Sequence, residues 1–358
     1  MASQVVILIP GTMGSVLQLD GRIIWPGSVL RIFGPYPRLD DLLNPRATAV
    51  DVLRRIFIFK QYAALIHALA DMGYPEKRPT DSGHRLVVFP YDWRKSSVDA
   101  AASLSDLVNT IATSTPDVEV TLLGHGMGGL VARYYVESGS FSAVQGFDRV
   151  KAVILMAAPS GGAIAALETI VGLRGMPFLS RAQSRQFSAD ARYPAAYQSL
   201  PGPGTPFLWS DAPGEAVRSL DLYDPQIVSA LGLSTASLAS VVGFRQGLSL
   251  ENKPSNVRYF SFVGTHARTS TACYLTGSTI RSVRARCGGD GALPVWSTVL
   301  PNVQQIQVGG SHASLYRDGT LLQYLARLLR LEASPAGAPA SASTRTSPSP
   351  PPHAVGRP

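Results

Sequence analysis

Short runs of continuous apolar residues recur along the chain. Each run has the length of a strand, and unbroken apolar character is typical of strands that are buried on both faces of a parallel sheet. The first run ends at Pro10-Gly11, which predicts a strand leading into a loop. The runs lie at 4–12, 85–91, 118–121, 150–158, 257–263 and 303–308.

Between these runs, apolar residues recur every three or four positions, which predicts amphipathic helices. One helix is predicted at 62–72, with Gly73 as its end, and another at 99–111. A third follows the run at 118–121 and extends to about residue 138, and the last covers 315–331. Strands that alternate with helices predict an α/β fold, a mainly parallel sheet covered by helices on both faces.

The alternation is lost between residues 160 and 250, where Gly, Pro and Ser are frequent and only short amphipathic pieces occur. We therefore assign 1–159 and 251–332 to the core and 160–250 to an inserted cap. Within the core, residues 15–57 are predicted to be irregular. Residues 333–358 are rich in Pro, Ala and Ser and are predicted to form a disordered tail, because they contain too little apolar surface to bury.

Composition excludes some classes of function. Of the 358 residues, 45% are hydrophobic and 16% charged, which indicates a globular chain with a sizeable core. The net charge of +8 comes mainly from Arg, but we find no basic stripe with interleaved aromatic residues, which argues against nucleic acid as a partner. No apolar run approaches the length of a membrane span. The start of the chain lacks the features of a signal peptide, so we expect a cytoplasmic protein, or a secreted protein written without its signal.

Cys273 and Cys287 are the only cysteines, too few for a metal framework, and no metal or organic cofactor is predicted. They flank a short loop, so a disulfide and two free thiols both remain open.

The most informative stretch is the glycine-rich corner at 124–129, between a predicted strand and a predicted helix. This context is that of a nucleophile elbow, in which a Ser between Gly-x and x-Gly is exposed at the turn. The frame is complete here, but Gly126 occupies the central position. The corner therefore predicts a hydrolase or acyltransferase site that lacks the attacking oxygen.

Two further candidate residues follow later strands. Asp290 lies between glycines after the strand at 257–263, and His312 directly follows the strand at 303–308. The order of elbow, Asp and His is that of elbow hydrolases, in which Asp orients the imidazole and His acts as base and then acid. His266 is the rival candidate for the base.

A site of this kind also needs two N–H donors for the developing oxyanion. One is expected from Met127, the residue after the elbow centre, and the other from Met13, in the glycine-rich loop after the first strand. The alternative is that this loop is an ordinary turn.

At this point the sequence resembles the lecithin:cholesterol acyltransferase family, which also includes lysosomal phospholipase A2 and phospholipid:diacylglycerol acyltransferases. The resemblance extends from about residue 4 to 331. The combination of the Pro-Gly loop with Tyr-Asp-Trp-Arg is its most specific part. The matching pieces are Ile9-Pro10-Gly11-Thr12-Met13-Gly14-Ser15, Tyr91-Asp92-Trp93-Arg94, Gly124-His125-Gly126-Met127-Gly128-Gly129, Tyr193-Pro194-Ala195-Ala196-Tyr197-Gln198-Ser199-Leu200-Pro201, Gly289-Asp290-Gly291-Ala292-Leu293-Pro294 and His312.

The resemblance implies an α/β-hydrolase fold with a cap, and an acyl-enzyme mechanism in which an acyl chain of an ester lipid passes to water or an alcohol. It also implies contact with lipid, at a membrane or lipoprotein-like surface, by the segment after the first loop. Trp25 and Phe33 suit that role, since Trp beside aliphatic residues favours a membrane interface. The alternative is that this segment packs on the core.

The departure from the family is Gly126, where the family has Ser. Without a side-chain oxygen no covalent acyl-enzyme can form at this position. Ser160 and Ser311 are the nearest substitutes in the pattern, but neither lies on an elbow. Three accounts remain open: an engineered knock-out, a non-catalytic relative that binds acyl lipids, and an enzyme that uses water activated by His312. A soluble esterase for a non-lipid ester is a further alternative.

Overall fold

The structure is a computed structural model that describes residues 3–27, 36–56, 59–212, 214 and 216–332. The predicted tail at 333–358 and the candidate Phe33 lie outside the described residues.

The described strands and helices follow one another in the order in which they are numbered. The strands are β1 (Gln4–Ile9), β2 (Ser15–Leu19), β3 (Arg22–Trp25), β4 (Thr48–Val52), β5 (Arg55–Ile56), β6 (Phe59–Lys60), β7 (Arg85–Val88), β8 (Glu119–His125), β9 (Val150–Met156), β10 (Leu208–Ser210), β11 (Arg218–Leu220), β12 (Arg258–Gly264), β13 (Ala267–Thr276), β14 (Thr279–Gly289) and β15 (Gln304–Val308). The α-helices are α1 (Leu39–Leu42), α2 (Tyr62–Asp71), α3 (Ser97–Ser114), α4 (Met127–Glu137), α5 (Ile164–Ile170), α6 (Arg181–Ala189), α7 (Ala195–Gln198), α8 (Pro225–Leu231), α9 (Thr235–Gln246), α10 (Val295–Thr298) and α11 (Gly319–Glu332).

The largest sheet has the strand order β15-β12-β9-β8-β1-β7, and its strands pair in parallel throughout. The apolar runs became its strands because every residue of β1, and all but one of β8 and of β9, is buried. One face packs on residues of α3 and α4, and the other on residues of α2 and α11. The predicted α/β fold with helices on both faces is confirmed.

The prediction that residues 15–57 are irregular is wrong. β3, β2 and β4 form an antiparallel sheet, in which β2 and β3 are joined at Asp20-Gly21, both with positive φ (47° and 79°). An Asp-Gly pair between two apolar runs is a recognised hairpin signal. The strands are short and their register shifts, which weakened the period-two pattern on which a strand prediction depends.

A third apolar cluster is formed largely by the segment predicted to be a cap. It joins residues of α5, α8 and α9 to one face of a four-stranded sheet with the order β11-β10-β13-β14. Two of these strands, β13 and β14, form a long hairpin that follows the predicted cap boundary at residue 250. β10 pairs with β13 in parallel, so the smaller sheet combines segments that lie far apart in the sequence.

Both cysteines lie in the hairpin as free thiols, Cys273 buried and Cys287 exposed. The register places Cys273 opposite Ser282, which keeps the two sulfur atoms out of pairing. Among the described helices, none is both long and apolar enough to cross a membrane.

Candidate active site

The corner at Gly126 is the point at which β8 passes into α4. Gly126 has φ of 52° and ψ of −124°, and its N–H donates to the carbonyl oxygen of Met156 at 2.9 Å. The glycines on either side are required by close packing. A Cβ on Gly128 would lie 2.3 Å from the carbonyl oxygen of Ile9, and a Cβ on Gly124 would lie 2.6 Å from the Cα of Gly129. The corner therefore has the sharp turn of an elbow, with positive φ at its centre.

Asp290 and His312 meet above the carboxyl ends of β12 and β15. Nδ1 of His312 lies 2.7 Å from Oδ2 of Asp290, and the His312 N–H donates to the Asp290 carbonyl oxygen at 2.8 Å. The other carboxylate oxygen accepts the N–H groups of Ala292 (2.9 Å) and Leu293 (2.7 Å). Burial acts to raise the pKa of Asp290, but His312 and the two backbone donors outweigh it, so the pKa lies below its ordinary value. The carboxylate is thereby held ionised against the imidazole.

The imidazole of His312 faces the elbow. A Cβ built on Gly126 would lie 3.0 Å from Nε2 and 3.4 Å from Cε1 of His312. A serine at this position therefore needs the ring to move by a few tenths of an ångström, after which a hydroxyl and Nε2 would be neighbours. The predicted grouping of Gly126, Asp290 and His312 in one place is what the structure shows.

The loop after β1 forms the opposite side of the corner. Met13 has φ of 62°, and its carbonyl oxygen accepts the indole N–H of Trp25 at 2.9 Å. Thr12 Oγ1 lies 3.6 Å from the sulfur of Met127, which connects this loop to the start of α4. Met127 is the first residue of α4, so its N–H has no carbonyl partner within the helix. The two candidate oxyanion donors thus lie in adjacent backbone segments.

The residues 91–94 hold that loop in place. The Tyr91 hydroxyl donates to the Pro10 carbonyl oxygen at 2.9 Å, and the Tyr91 N–H donates to Ser15 Oγ at 3.1 Å. The indole N–H of Trp93 donates to the Ser15 carbonyl oxygen at 3.2 Å. Both ends of the loop are therefore fixed by one short motif.

Arg94 extends this support to the segment 42–47 of the same chain. Its fully buried guanidinium forms an ion pair with Asp92 (2.7 Å) and donates to the carbonyl oxygens of Leu42, Asn44 and Ala47. The positive charge of Arg94 therefore has a carboxylate partner, and its N–H groups have carbonyl acceptors, as a buried cation requires.

A chain of hydrogen bonds connects the three loops of the site. The Gly11 N–H donates to the Tyr62 hydroxyl at 2.8 Å, and that oxygen lies 2.6 Å from Nδ1 of His125. Nε2 of His125 lies 3.0 Å from the carbonyl oxygen of His312. Burial, followed by the charge of His312, lowers the pKa of His125 to about 3, so this imidazole is neutral. A neutral ring can accept from Tyr62 and donate to His312, which fixes its tautomer.

Tyr62 is a site residue that the sequence analysis does not identify, because it lies on a helix that is distant in the sequence from the elbow. Burial raises its pKa well above the ordinary value, so it remains a hydroxyl donor.

A cavity of about 450 Å³ opens over the corner. Gly126 and His312 lie in its wall, and so do apolar side chains from the segment predicted as a cap, among them Met176, Phe178 and Phe187. A cavity of this size with mostly apolar walls and a few polar groups is typical of a small-molecule site.

Trp25 is part of the cavity wall and is 1% exposed. Its ring packs edge-on against Trp93 and Phe178, with centroids 5.6 and 5.8 Å apart. The expectation that Trp25 lies at a membrane interface is wrong, because the indole faces inward; a contact with substrate inside the cavity remains a prediction.

The rival candidates have other hydrogen-bond partners. The exposed His266 has Nδ1 3.1 Å from Thr265 Oγ1 and 3.3 Å from the Val308 carbonyl oxygen, whereas Asp290 is bonded to His312. Ser311 is bonded to Ser314. Among the described residues, no cluster of His, Cys, Asp and Glu side chains could hold a metal ion.

The chain is similar in fold to solved structures. The chain matches the structure entitled "The crystal structure of Tle4-Tli4 complex" with a TM-score of 0.65 and 14% identity, over 93% of this chain and 99% of that chain. It also matches the metagenomic carboxyl esterase MGS0156 (TM-score 0.45, 14% identity, 93% and 77% of the two chains). A lipase from Bacillus licheniformis, BlEst2, gives a TM-score of 0.41 at 12% identity, over 92% of each chain. Comparison with curated protein sequences gives no match.

The parallel sheet, the elbow and the order of the loops define an α/β-hydrolase fold. The family model "Lecithin:cholesterol acyltransferase" matches residues 43–227, just over half of the chain. The chain therefore belongs to the lecithin:cholesterol acyltransferase family. The match includes residues 91–94 and the elbow, whereas the first loop, Asp290 and His312 lie outside it.

Proposed function

We propose that this chain binds an ester lipid in the cavity at Gly126. The site is of the acyl-transfer type but cannot form a covalent acyl-enzyme. Family membership supports the substrate class. The apolar wall of the cavity supports an acyl chain as the bound group. The observation that carries the proposal is the position of His312: its imidazole is bonded to Asp290, and its Nε2 would lie 3.0 Å from a Cβ added at Gly126.

The roles follow from this placement. Asp290 fixes the orientation of His312, and Nε2 of His312 faces the position from which a nucleophile would attack an ester carbonyl. The N–H groups of Met13 and Met127 would stabilise the oxyanion that forms. With a hydroxyl at position 126, His312 would accept its proton as the acyl–oxygen bond formed, and would then donate that proton to the departing alcohol. Water or an alcohol would release the acyl group.

With Gly126 these chemical steps cannot begin, because no side-chain oxygen is available to form the acyl-enzyme bond. The chain then retains the binding and orienting parts of the site. We therefore propose a lipid-binding function for the chain as it stands. The segment 160–250 is proposed as the cap, since Met176, Phe178 and Phe187 line the cavity.

The substitution Gly126→Ser tests this proposal, with hydrolysis of a short-chain aryl ester as the readout. We expect turnover to rise by at least about a thousandfold over the unchanged chain, because the nucleophile is the missing member of the triad. Gly126→Ala is the matched control: it places the same Cβ against His312 but no oxygen. Both variants place a side chain on a backbone with positive φ, which costs about 1–3 kcal/mol of stability. A folded Gly126→Ser variant with no ester turnover would remove the support for the assigned roles.

Binding by the unchanged chain is the second part of the test. We expect a fluorescent acyl ester to bind the unchanged chain without being cleaved. Ordinary turnover by the unchanged chain would show that its chemistry does not need residue 126.

A further inference from the structure

A second cavity of about 340 Å³ is lined by Ser160 and by residues of the segments 245–251 and 300–301. The cavity at Gly126 is called the ester cavity, after its proposed ligand. Pro159 lines the ester cavity and Ser160 lines the second cavity, so the two cavities are neighbours along the segment that follows β9. The second cavity also contains the side chains of Arg133 and Arg245. Two guanidinium groups in one small cavity repel each other unless anionic groups balance their positive charges.

Arg245 is the unusual member. It lies near the end of α9, and its guanidinium donates to the carbonyl oxygens of Ser160 (2.8 Å) and Leu200 (2.7 Å), with longer contacts to those of Pro159 and Gln198. All of these acceptors are neutral. Among the described residues, no carboxylate lies within the 4.0 Å of an ion pair with Arg245. Burial, and then the nearby Arg133, lower its pKa to about 10, which agrees with a cation that lacks a counter-ion.

The remaining charges do not compensate it. Arg133 is 3% exposed and is already neutralised by Glu137, through bonds of 2.7 Å from Nε and from Nη2. Glu251 lines the cavity but is exposed. Arg245 is half-buried and its cation has no carboxylate partner among the described residues, so an anion in this cavity would supply the missing counter-charge.

Two residues that line this cavity each have a buried donor without a partner among the described residues. The donors are Nε of Arg245 and the hydroxyl of Ser160. Arg133 adds Nη1, the guanidinium nitrogen that Glu137 does not engage. Buried polar groups are nearly always paired, and several N–H and O–H donors around a net positive charge suit the several oxygen atoms of a phosphate group.

We propose that this second cavity is a binding site for a phosphate group, with Arg245 and Ser160 as its direct ligands and Arg133 as a supporting cation. The site is separate from the ester cavity and does not depend on a nucleophile at position 126. The phosphate belongs either to a soluble phosphate compound or to a lipid headgroup, and the experiment separates these sources. Glycerol 3-phosphate and vesicles containing phosphatidic acid present the same group in the two forms.

The test measures binding of inorganic phosphate and glycerol 3-phosphate to the full chain by calorimetry and by thermal unfolding, at constant ionic strength against chloride. We expect saturable binding and a rise in Tm. Ser160→Ala should weaken binding by about tenfold, since it removes one hydrogen bond to a charged group. Ser188→Ala is the matched control, because that hydroxyl is also buried and unpaired but does not line the cavity. Arg245→Lys, which keeps the charge but removes Nε, should weaken binding further.

Binding of phosphatidic acid vesicles without binding of the soluble compounds would identify a lipid headgroup as the source. Absence of saturable binding to all three probes would overturn the proposal. Equal affinity for acetate, or an affinity unchanged by Ser160→Ala, would also overturn it. If Arg245→Lys fails to fold, the Ser160→Ala and Ser188→Ala pair still decides the outcome. None of these readouts uses ester turnover, so they remain informative even if the acyl-transfer proposal fails.

Discussion

The two sides of the ester cavity differ in the side chains that they contribute. On the Asp290–His312 side, each carboxylate oxygen is bonded, and the backbone of His312 is held by Asp290 on one side and by His125 on the other. On the elbow side, Gly126 has the required turn but contributes only backbone. The comparison shows that His312, the proposed base, is positioned by groups that do not involve residue 126, so its geometry does not require a side chain at that position.

The largest effect that would sharpen this comparison is expected from Asp290→Asn in the Gly126→Ser background. An amide cannot support the imidazolium or fix its tautomer in the same way, so kcat should fall by about 10³- to 10⁴-fold. Steady-state kinetics with the aryl ester checks this, and Asp318→Asn, on a carboxylate of the same loop region that caps α11, is a suitable control. A loss of less than tenfold would mean that the Asp290 side is not catalytic.

The same substitution in the unchanged chain should affect stability in a pH-dependent way. Because the pKa of Asp290 is lowered from 3.8, its contribution is present above that value and is lost as the pH falls through the folded-state pKa. We expect Asp290→Asn to cost about 1.5–3 kcal/mol near neutral pH. The difference from the unchanged chain should shrink below pH 3.8. Denaturant unfolding from acidic to neutral pH measures it, and a difference that grows on acidification would contradict the assignment.

A smaller loss is expected from Tyr62→Phe, which tests the connection between the two sides. Removal of the hydroxyl leaves the Gly11 N–H and Nδ1 of His125 unpaired, at a cost of about 1–3 kcal/mol. In the Gly126→Ser background, kcat should fall as well, because the oxyanion loop and the His312 loop lose a shared support. Tyr324→Phe, on α11, is the control. Equal stability of the two variants would show that the hydrogen-bond chain does not hold the loops.

The sequence predicted the grouping of Gly126, Asp290 and His312 because each was placed after an apolar run expected to be a parallel strand, and the carboxyl ends of such strands share one edge of the sheet. In the structure Asp290 directly follows β14, since the β13–β14 hairpin separates it from the parallel strand β12. The elbow, its neighbouring glycines and the loop before Ser15 could be predicted for the same reason. Tyr62 could not, since its contact with His125 joins a helix to a strand 63 positions away. Local periodicity carries no information about such a partner.

The smaller sheet shows the same limit. β10 pairs in parallel with β13, more than sixty positions later, and neither strand has the unbroken apolar run that identified the main sheet. The aliphatic residues beside Trp25 in the sequence led to the prediction that its ring lies at a membrane interface. Its burial depends on Trp93 and Phe178, which are brought to it only by the fold.

The most direct test of the whole account is covalent labelling with an alkyl fluorophosphonate, read by intact-protein mass. We expect the Gly126→Ser variant to gain one label on the introduced hydroxyl, rapidly and in competition with a lipid ester, because His312 and the proposed oxyanion donors would already surround that hydroxyl. The unchanged chain and Gly126→Ala should gain none. Labelling of the unchanged chain, or a folded Gly126→Ser variant that stays unlabelled, would contradict the claim that only the nucleophile is missing.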